Sequence, residues 1–529
     1  MFVPLTPLRF LHRAVDLFGS KTGVVSGERS FTYVEFADRV GRLATGLRRL
    51  GVQPGDRVAY LSFNTHQLLE GYYAVPQAKA IVMPLNVRLS TPELINILNH
   101  SGARLLLFEA DFDSTIAELR KDCPGLEKFI ALDTPGDGAD MTSEDVIALG
   151  EPERADIFSY DEMSIAELFY TSGSTGSPKG VALAHRTLYL HALDAATLLK
   201  DVDTVVDLHT IPLFHANGWG RPQSSTMLGL KQVMVRRFEP AGVCGLVAQH
   251  RATHMSLVPT MANALINFPD LGKFDLSSLR QVTIGGAANS PELVARVEAA
   301  LGCECLSGYG LTETTPLLTT SRHKGTFAYA DDNERRRYQA MAGWPAPGVE
   351  VRVVDLDMRD VPRDMQSIGE VIARGDHVME GYFKEPEQTA AVMTGGWFHS
   401  GDMAVWNAES YIHIVDRKKE IIISGGENIS SIEVEKAIFA HDAVFECAVV
   451  AAPDPQWGEV PAAIVVTKPD RSLTEAELLE FLKERLGKFK LPRLVRIQTE
   501  PLPKTGTGKI RKMILKEQFW AGKGKRVQG

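Results

Sequence analysis

Residues 170–180, YTSGSTGSPKG, have the composition of a loop that binds phosphate. Their five Ser and Thr hydroxyls, three glycines and one lysine leave little side-chain bulk and many exposed backbone N–H donors. Such a loop can surround phosphate oxygens while Lys179 supplies positive charge. A bare Gly/Ser stretch is more often a flexible surface turn, and a Walker A loop is excluded because Gly180 follows the lysine.

A second candidate segment, SGYGLTET, occupies residues 307–314. Tyr309 stands between two glycines, which would let its ring approach a purine closely. Thr312 and Glu313 offer the oxygen ligands that Mg²⁺ prefers alongside substrate phosphates. Taken alone, the tyrosine could equally be a core residue, and a Thr-Glu pair is usually only the start of a helix.

Two further segments carry single charged groups. Asp402 follows a glycine in HSGD, where it could accept from both hydroxyls of a ribose or merely form a turn. Lys509 lies in PKTGTGKIRK, where it could neutralise charge that develops on a phosphoryl group. Ile510 after this lysine excludes a Walker A loop here as well.

Alternating strand-like and helix-like segments must position these residues. RVAYLSF (57–63) and ARLLLFEA (103–110) are predicted strands, and the helix between them should begin at Thr91 as its N-cap. This alternation predicts largely parallel sheets covered by helices. After Asp416, the segments FECAVVAAP, PAAIVVTKP and LTEAELLEFLKERLG predict an α+β unit of about a hundred residues.

Composition and charge exclude several classes of protein. A chain of 529 residues is too long for one core, and its net charge of −9 argues against a general nucleic-acid binder. The sequence has no apolar run of the ~18 residues that a membrane span needs, and five cysteines are no disulfide framework. The first residues lack the apolar core of a secretory signal, so we expect a cytoplasmic location.

These motifs resemble those of the acyl-adenylate-forming superfamily, which holds acyl-CoA synthetases, firefly-type luciferases and the adenylation domains of nonribosomal peptide synthetases. Three further segments support the resemblance: PLFHANGW (212–219), GGAAN (285–289) and DRKKEIIISGGENIS (416–430). All the segments occur in the order and spacing of the family, and the resemblance runs over nearly the whole chain. Medium- and long-chain fatty-acyl-CoA synthetases are the most similar subgroup.

The resemblance implies an α/β fold with two domains. Residues 1–416 would form a large N-terminal domain of α/β sheets and a distorted β-barrel, and residues 417–529 a small mobile α+β domain. ATP, Mg²⁺ and coenzyme A would be required, and the enzyme would act as a homodimer. A carboxylic acid would form acyl-AMP, after which the C-terminal domain would rotate about a hinge at Lys419 and CoA would take the acyl group.

The resemblance also implies roles for individual residues. Lys509, Glu313 and Thr171 would be catalytic, with Thr171 and Glu313 as the ligands of Mg²⁺. The residues that bind ATP or CoA would be Thr171, Ser172, Gly173, Ser174, Thr175, Gly176, Lys179, Gly286, Ala287, Gly308, Tyr309, Gly310, Thr312, Asp402, Arg417, Lys419, Gly425, Gly426 and Glu427. The acyl pocket would contain His215, Gly218 and Trp219.

The identity of the acid depends on the acyl segment. In amino-acid-activating relatives an aspartate at the position of His215 pairs with the substrate amine, so an α-amino acid is disfavoured here. Trp219 matches a tryptophan that gates the acyl tunnel of long-chain fatty-acyl-CoA synthetases, although a buried core tryptophan would look the same. We expect a medium- or long-chain fatty acid, with aryl acids and short substituted acids such as methylthio-propionate as alternatives.

Two other functions are compatible with the same motifs. The acceptor could be the thiol of a carrier protein, or the chain could be an inactive sensor that binds acyl-AMP or ATP. The intact set of Lys179, Glu313, Asp402 and Lys509 argues against a sensor. Some relatives have a lysine where this chain has Ile423, which argues against an oxidative step of the luciferase type.

Overall fold

The computed structural model describes residues 2–134, 136, 138–171, 178–418, 420–424, 427–504 and 510–520. The chain divides into two compact units. The first unit comprises residues 1–351, 372–399 and 409–412, and the second comprises residues 352–371, 400–408 and 413–529. The domain boundary expected at residue 416 stays a prediction.

The helices have the following bounds: α1 Leu8–Phe18, α2 Tyr33–Arg49, α3 His66–Gln77, α4 Thr91–Ser101, α5 Asp113–Asp122, α6 Ser143–Leu149, α7 His185–Ala196, α8 Ala216–Trp219, α9 Arg221–Met227, α10 Pro240–His250, α11 Pro259–Ile266, α12 Pro291–Leu301, α13 Asp332–Ala340, α14 Pro386–Val392, α15 Ser431–Phe439, α16 Glu475–Lys483 and α17 Lys512–Trp520.

The strands have the following bounds: β1 Thr22–Ser26, β2 Arg29–Thr32, β3 Arg57–Leu61, β4 Ile81–Pro84, β5 Ala103–Phe108, β6 Lys128–Ala131, β7 Met141–Thr142, β8 Ile165–Thr171, β9 Lys179–Ala184, β10 Val206–His209, β11 Lys231–Met234, β12 His254–Leu257, β13 Gln281–Ile284, β14 Glu304–Gly310, β15 Leu317–Thr320, β16 Trp344–Pro345, β17 Val349–Val354, β18 Gly369–Gly375, β19 Gly381–Tyr382, β20 Met393–Thr394, β21 Trp397–Trp406, β22 Ile412–Arg417, β23 Ile422–Ser424, β24 Glu427–Ile429, β25 Val444–Asp454, β26 Gly458–Thr467 and β27 Leu494–Gln498.

Two sheets dominate the first unit. One has nine strands in the order β16-β15-β14-β13-β12-β10-β11-β1-β2, and the other has eight in the order β19-β9-β8-β4-β3-β5-β6-β7. Pairing is parallel from β1 through β11, β10, β12 and β13 to β14, and again from β8 through β4, β3, β5 and β6 to β7. The parallel sheets expected from the alternating pattern are therefore present. Both predicted strands are confirmed as β3 and β5, which are almost wholly buried because their residues are nearly all apolar.

The predicted helix start at Thr91 is one residue too late. Ser90 is the N-cap of α4, and the Glu93 carboxylate accepts from the Ser90 N–H at 2.8 Å. This bond pairs the Ser90 N–H, whereas Leu94, three residues after Thr91, offers no side-chain acceptor, and Thr91 becomes the first helical residue. The helix ends before Gly102, whose φ of 66° suits a glycine.

The C-terminal sheet of the second unit has the order β24-β23-β26-β25, with β27 on β26. Alternate residues of β25 and β26 enter two apolar clusters, one packed with α15 and α16 and the other with α17. The predicted capping box of α16 is confirmed, since the Glu477 carboxylate accepts from the Thr474 N–H at 2.8 Å. This helix ends at Lys483, before the expected stop at Gly487.

The expected α/β class is confirmed, with large mixed sheets towards the N-terminus and a smaller α+β unit towards the C-terminus. A further five-stranded sheet, in the order β17-β18-β21-β20 with β22 on β21, follows the nine-stranded sheet in the chain. Within the part of the chain that the structure describes, no helix is both long and apolar enough to cross a membrane.

Candidate active site

A β-hairpin holds both ends of the candidate phosphate loop. Strands β8 and β9 pair antiparallel, and their register sets Thr171 opposite Lys179. Buried residues such as Leu168 and Phe169 fix β8 in the sheet, so the two ends of the loop are held side by side. The other predicted residues of this loop lie outside the described residues: Ser172, Gly173, Ser174, Thr175 and Gly176.

A tyrosine links this hairpin to the predicted magnesium ligand. Strand β19 pairs with β9, which brings the ring of Tyr382 within 4.8 Å of the Lys179 ammonium. The Tyr382 hydroxyl donates to Glu313 Oε1 at 2.9 Å, and the Met379 N–H donates to the Glu313 carbonyl at 2.9 Å. The structure thus joins Lys179 and Glu313, 134 positions apart in the sequence, through one side chain.

Thr171 and Glu313 suit a magnesium ion chemically. Both offer the hard oxygen donors that Mg²⁺ prefers, and the contacts through Lys179 and Tyr382 tie their two segments together. Glu313 is half-buried, in a short 3₁₀ turn over 312–314 in which Thr312 is buried. No group of three or more His, Cys, Asp or Glu side chains gathers as a metal site among the described residues. Mg²⁺ is usually held by one or two protein oxygens together with waters and substrate phosphates, which this pair would allow.

The carboxyl ends of β13 and β14 bring two predicted nucleotide segments to one sheet edge. The strands are parallel, with Ile284 opposite Ser307. The Asn289 side-chain amide donates to the Ser307 hydroxyl at 3.0 Å, and that hydroxyl donates to the Gln339 carbonyl at 2.6 Å. These bonds brace GGAAN against SGYG, and the braced loop leaves Gly286 and Ala287 exposed.

The two glycines beside Tyr309 differ in why they are needed. A Cβ at Gly310 would lie 1.5 Å from the Pro316 carbonyl oxygen, so only glycine fits there. A Cβ at Gly308 would meet nothing closer than 3.6 Å, so packing alone does not require that glycine. Close approach of a purine to Tyr309 stays a prediction.

The acyl segment contacts the same sheet edge. Trp219 is half-buried, and a Cβ at Gly285 would lie 3.0 Å from its Cη2 atom. His215 is exposed at the start of the segment, and its carbonyl accepts from the buried Gly218 N–H at 3.1 Å. The structure thus brings the predicted acyl and adenine segments together.

In the second unit, the structure pairs the two predicted ribose-binding residues. Arg417 Nε lies 2.7 Å from Asp402 Oδ1, with the aspartate buried and the arginine half-exposed. The Lys418 N–H donates to the Gly401 carbonyl at 2.8 Å, which ties the HSGD turn to the segment after Asp416. Four predicted residues lie outside the described residues, namely Lys419, Gly425, Gly426 and Lys509, as does the side chain of Glu427.

Sequence reasoning missed Tyr382 and Asn289. Asn289 lay within a segment that the motifs had already marked, so its polar side chain beside two glycines was a usable signal. Tyr382 lies in the segment GYF (381–383), 69 residues from its partner Glu313 and outside every motif considered. No spacing in the sequence indicates that contact.

Comparison with known proteins decides the family. A family model described as AMP-binding enzyme matches residues 11–383, and a second, described as AMP-binding enzyme C-terminal domain, matches residues 433–509. The chain belongs to the AMP-binding enzyme family. This confirms the resemblance, and with it the predicted class of acyl-CoA synthetases that form AMP.

Relatives of this enzyme carry names that refer to different acids. A long-chain-fatty-acid–CoA ligase of Thermus thermophilus is 38% identical over 96% of this chain and 95% of its own length. A 2-methylpropanoate–CoA ligase of Humulus lupulus is 35% identical over 97% of this chain and 95% of its own. The crystal structure of an anthranilate CoA ligase in complex with anthranoyl-AMP superposes with a TM-score of 0.86 at 25% identity, covering 98% of both chains.

Proposed function

We propose that this enzyme ligates a medium- or long-chain fatty acid to coenzyme A, in a reaction that requires ATP and Mg²⁺ and passes through acyl-AMP. The observation that carries the proposal is the contact of Trp219 with Gly285. This contact places the acyl segment beside GGAAN, the segment predicted to bind adenine. An acid must lie close to the bound nucleotide if the two are to react.

The proposed reaction has two steps. A carboxylate oxygen of the acid attacks the α-phosphorus of ATP, the bond to the bridging oxygen breaks, and pyrophosphate leaves. The thiolate sulfur of CoA then attacks the acyl carbon of the mixed anhydride, and AMP leaves with the bonding electron pair. Mg²⁺ would neutralise phosphate charge during the first step.

The residues of this chain would position the reactants. Thr171 and Glu313 would hold the metal, and the Lys179 ammonium would attract the phosphate groups. The Asp402 carboxylate would accept hydrogen bonds from the ribose hydroxyls, with Arg417 fixing its orientation. Lys509 would neutralise charge on the α-phosphoryl oxygens.

The fatty acid is supported by the identity of 38% to a long-chain-fatty-acid–CoA ligase and by Trp219 in the acyl segment. Relatives named for 2-methylpropanoate and anthranilate make short and aryl acids the alternatives. Transfer to a carrier-protein thiol is the alternative for the second step. A mobile C-terminal domain that begins after residue 416 and a homodimer complete the proposal and rest on the resemblance. A cytoplasmic location is also part of it and rests on the composition of the first residues.

A panel of acids tests the proposal. Saturated acids of increasing chain length, 2-methylpropanoate, methylthio-propionate and anthranilate would each be incubated with ATP, Mg²⁺ and either free CoA or a phosphopantetheinylated carrier protein. We expect the thioester with free CoA, one AMP per thioester and a kcat/KM that rises with chain length. Highest kcat/KM for anthranilate or a short acid would contradict the fatty-acid assignment, and thioester only on the carrier would contradict the CoA assignment.

A further inference from the structure

The acyl segment has an unusual backbone. Five consecutive residues, 216–220, have positive φ values between 44° and 68°, and only two of them are glycines. Each non-glycine residue in this left-handed region costs about 1–3 kcal/mol, so other contacts must impose the conformation. Trp219 is one of these strained residues, which makes the position of its ring dependent on those contacts.

Asn217 holds the strained run. Its side chain is buried, and its amide oxygen accepts from the Gly220 N–H at 2.6 Å. Its amide nitrogen donates to Glu167 Oε2 at 3.3 Å. The other oxygen of this carboxyl accepts from the Gln223 side-chain amide at 2.7 Å. Glu167 therefore connects the run of residues 216–220 to the start of α9.

The Glu167 carboxyl is buried without a compensating cation among the described residues. It lies on β8, between β4 and β9, four residues before Thr171. Burial raises its pKa to about 8, and the two amide donors lower it only in part. The titratable groups that face it are the phenols of Tyr72 and Tyr73 on α3, whose pKa values burial also raises, so both stay neutral. If Glu167 only filled the core, an apolar side chain of similar volume would stabilise the fold more.

We propose that Glu167 is a positioning residue for the acid substrate. Acting through Asn217, its carboxyl group keeps residues 216–220 in the left-handed conformation and so keeps the Trp219 ring against Gly285. This inference deepens the proposed function and rests on it for the role of Trp219 in the acyl pocket. Glu167 lies outside the motifs on which the sequence analysis rests.

Protonation of Glu167 should leave its bond to Asn217 in place. The ionised carboxylate accepts from both side-chain amides at once, one on each oxygen. The Gln223 amide oxygen is buried without a partner among the described residues, so Gln223 can turn that oxygen towards a proton on Glu167 Oε1 while Oε2 still accepts from Asn217. We therefore expect kcat/KM for the acid not to follow the titration of Glu167.

The variant Glu167→Leu tests the inference, because leucine fills an apolar core but offers no acceptor to the Asn217 amide. Hydrogen exchange of the peptide over 213–223 should become faster, since the Gly218 and Gly220 N–H bonds depend on the strained run. The KM for the acid should rise by about 10–100-fold with the KM for ATP unchanged, the scale of an ångström of misplacement. Asn217→Ala should reproduce the loss of acid affinity, whereas Glu167→Gln should retain it, because glutamine can accept from Asn217 and donate to the Gln223 amide oxygen.

Glu70→Leu is the matched control. Glu70 is equally buried, and burial raises its pKa to about 7, but its carboxylate binds Arg39 at 2.5 Å and no residue of the acyl segment. This variant should lose stability while both KM values stay as in the wild type. Unchanged exchange over 213–223 in Glu167→Leu, or the same kinetic change in Glu70→Leu, would overturn the inference. Faster exchange with an unchanged KM for the acid would support the conclusion that Glu167 holds residues 216–220 in place. The same result would contradict the role of Trp219 in the proposed function.

Discussion

The Tyr382 hydroxyl donates to Glu313 Oε1 at 2.9 Å, while the same ring lies 4.8 Å from the Lys179 ammonium. A hydrogen bond from a neutral hydroxyl to a carboxylate holds one of its oxygens in place. The ring face offers the ammonium a weaker attraction that leaves it able to meet a phosphate. Tyr382 thus sets the spacing between a metal-ligand candidate and a phosphate-binding candidate.

Removal of that hydroxyl should slow adenylate formation. Tyr382→Phe keeps the ring beneath Lys179 but loses a hydrogen bond to a charged group, so we expect acid-dependent ATP–pyrophosphate exchange to fall by roughly 10–100-fold. Tyr60→Phe is the control, because the buried Tyr60 hydroxyl has no partner among the described residues. A Tyr382→Phe enzyme as active as Tyr60→Phe would show that the bond has no part in positioning Glu313.

Glu313→Gln should raise the Mg²⁺ concentration required for half-maximal activity. The substitution removes a negative oxygen ligand that a hard cation prefers, while the amide keeps the bond from Tyr382 possible. Affinity for AMP, measured by calorimetry without metal, should change little. If the Mg²⁺ dependence of Glu313→Gln matches that of the wild type, Glu313 has only a structural role.

Trp219→Ala should alter the dependence on chain length. Each methylene buried in an acyl tunnel contributes up to ~0.8 kcal/mol, so wild-type kcat/KM should climb with length and then level off. The variant should lose kcat/KM for short acids, which lose packing, and change less for long acids. A uniform decrease at every length, together with a lower Tm, would identify Trp219 as a core residue only.

Lys512 should contribute strongly to the stability of the second unit. Its largely buried ammonium lies 2.8 Å from Glu435 Oε1 and 3.3 Å from Glu420 Oε2, and donates to the Ser431 hydroxyl at 2.7 Å. Burial lowers the pKa of Lys512, but the neighbouring carboxylates outweigh it and raise that pKa above its usual value. Lys512→Met should lower the free energy of unfolding by about 3–5 kcal/mol, because it leaves these carboxylates without their cation.

Urea unfolding measures this loss, with Lys490→Met as the control. Lys490 binds Glu433 at 2.7 Å in the same unit, but both side chains are partly exposed. Loss of a pair in contact with solvent costs about 1 kcal/mol or less. A Lys512→Met variant no less stable than Lys490→Met would show that the buried cluster does not depend on its lysine.

The sequence predicts elements better than it predicts contacts between them. Apolar runs mark β3 and β5 because strands of a parallel sheet are buried on both faces. The Asp402–Arg417 pair follows from two recognised motifs. The sequence does not predict the Glu167–Asn217 bond, which joins residues 50 positions apart. A single Glu in an otherwise apolar strand gives no indication of its partner.

The sequence does not indicate which residues have strained backbones or which side chains hold other residues in place. The letters HANGWG do not reveal five left-handed residues, because only two glycines among them signal positive φ. Asn217 bonds both to Gly220 within the run and to Glu167 on β8, and the second of these contacts depends on the tertiary structure. The same holds for Tyr382, which acquires its role only when β19 pairs with β9.

Separate assays of the two half-reactions test the central claim that acyl-AMP forms before CoA reacts. The role of Lys509 rests on the resemblance, and Lys509→Ala should reduce acid-dependent ATP–pyrophosphate exchange without CoA by roughly 10²–10³. Thioester formation from supplied acyl-AMP and CoA should be largely spared, because the lysine acts only in the first step. Equal loss in both half-reactions, or no acid-dependent exchange in the wild type, would contradict the account.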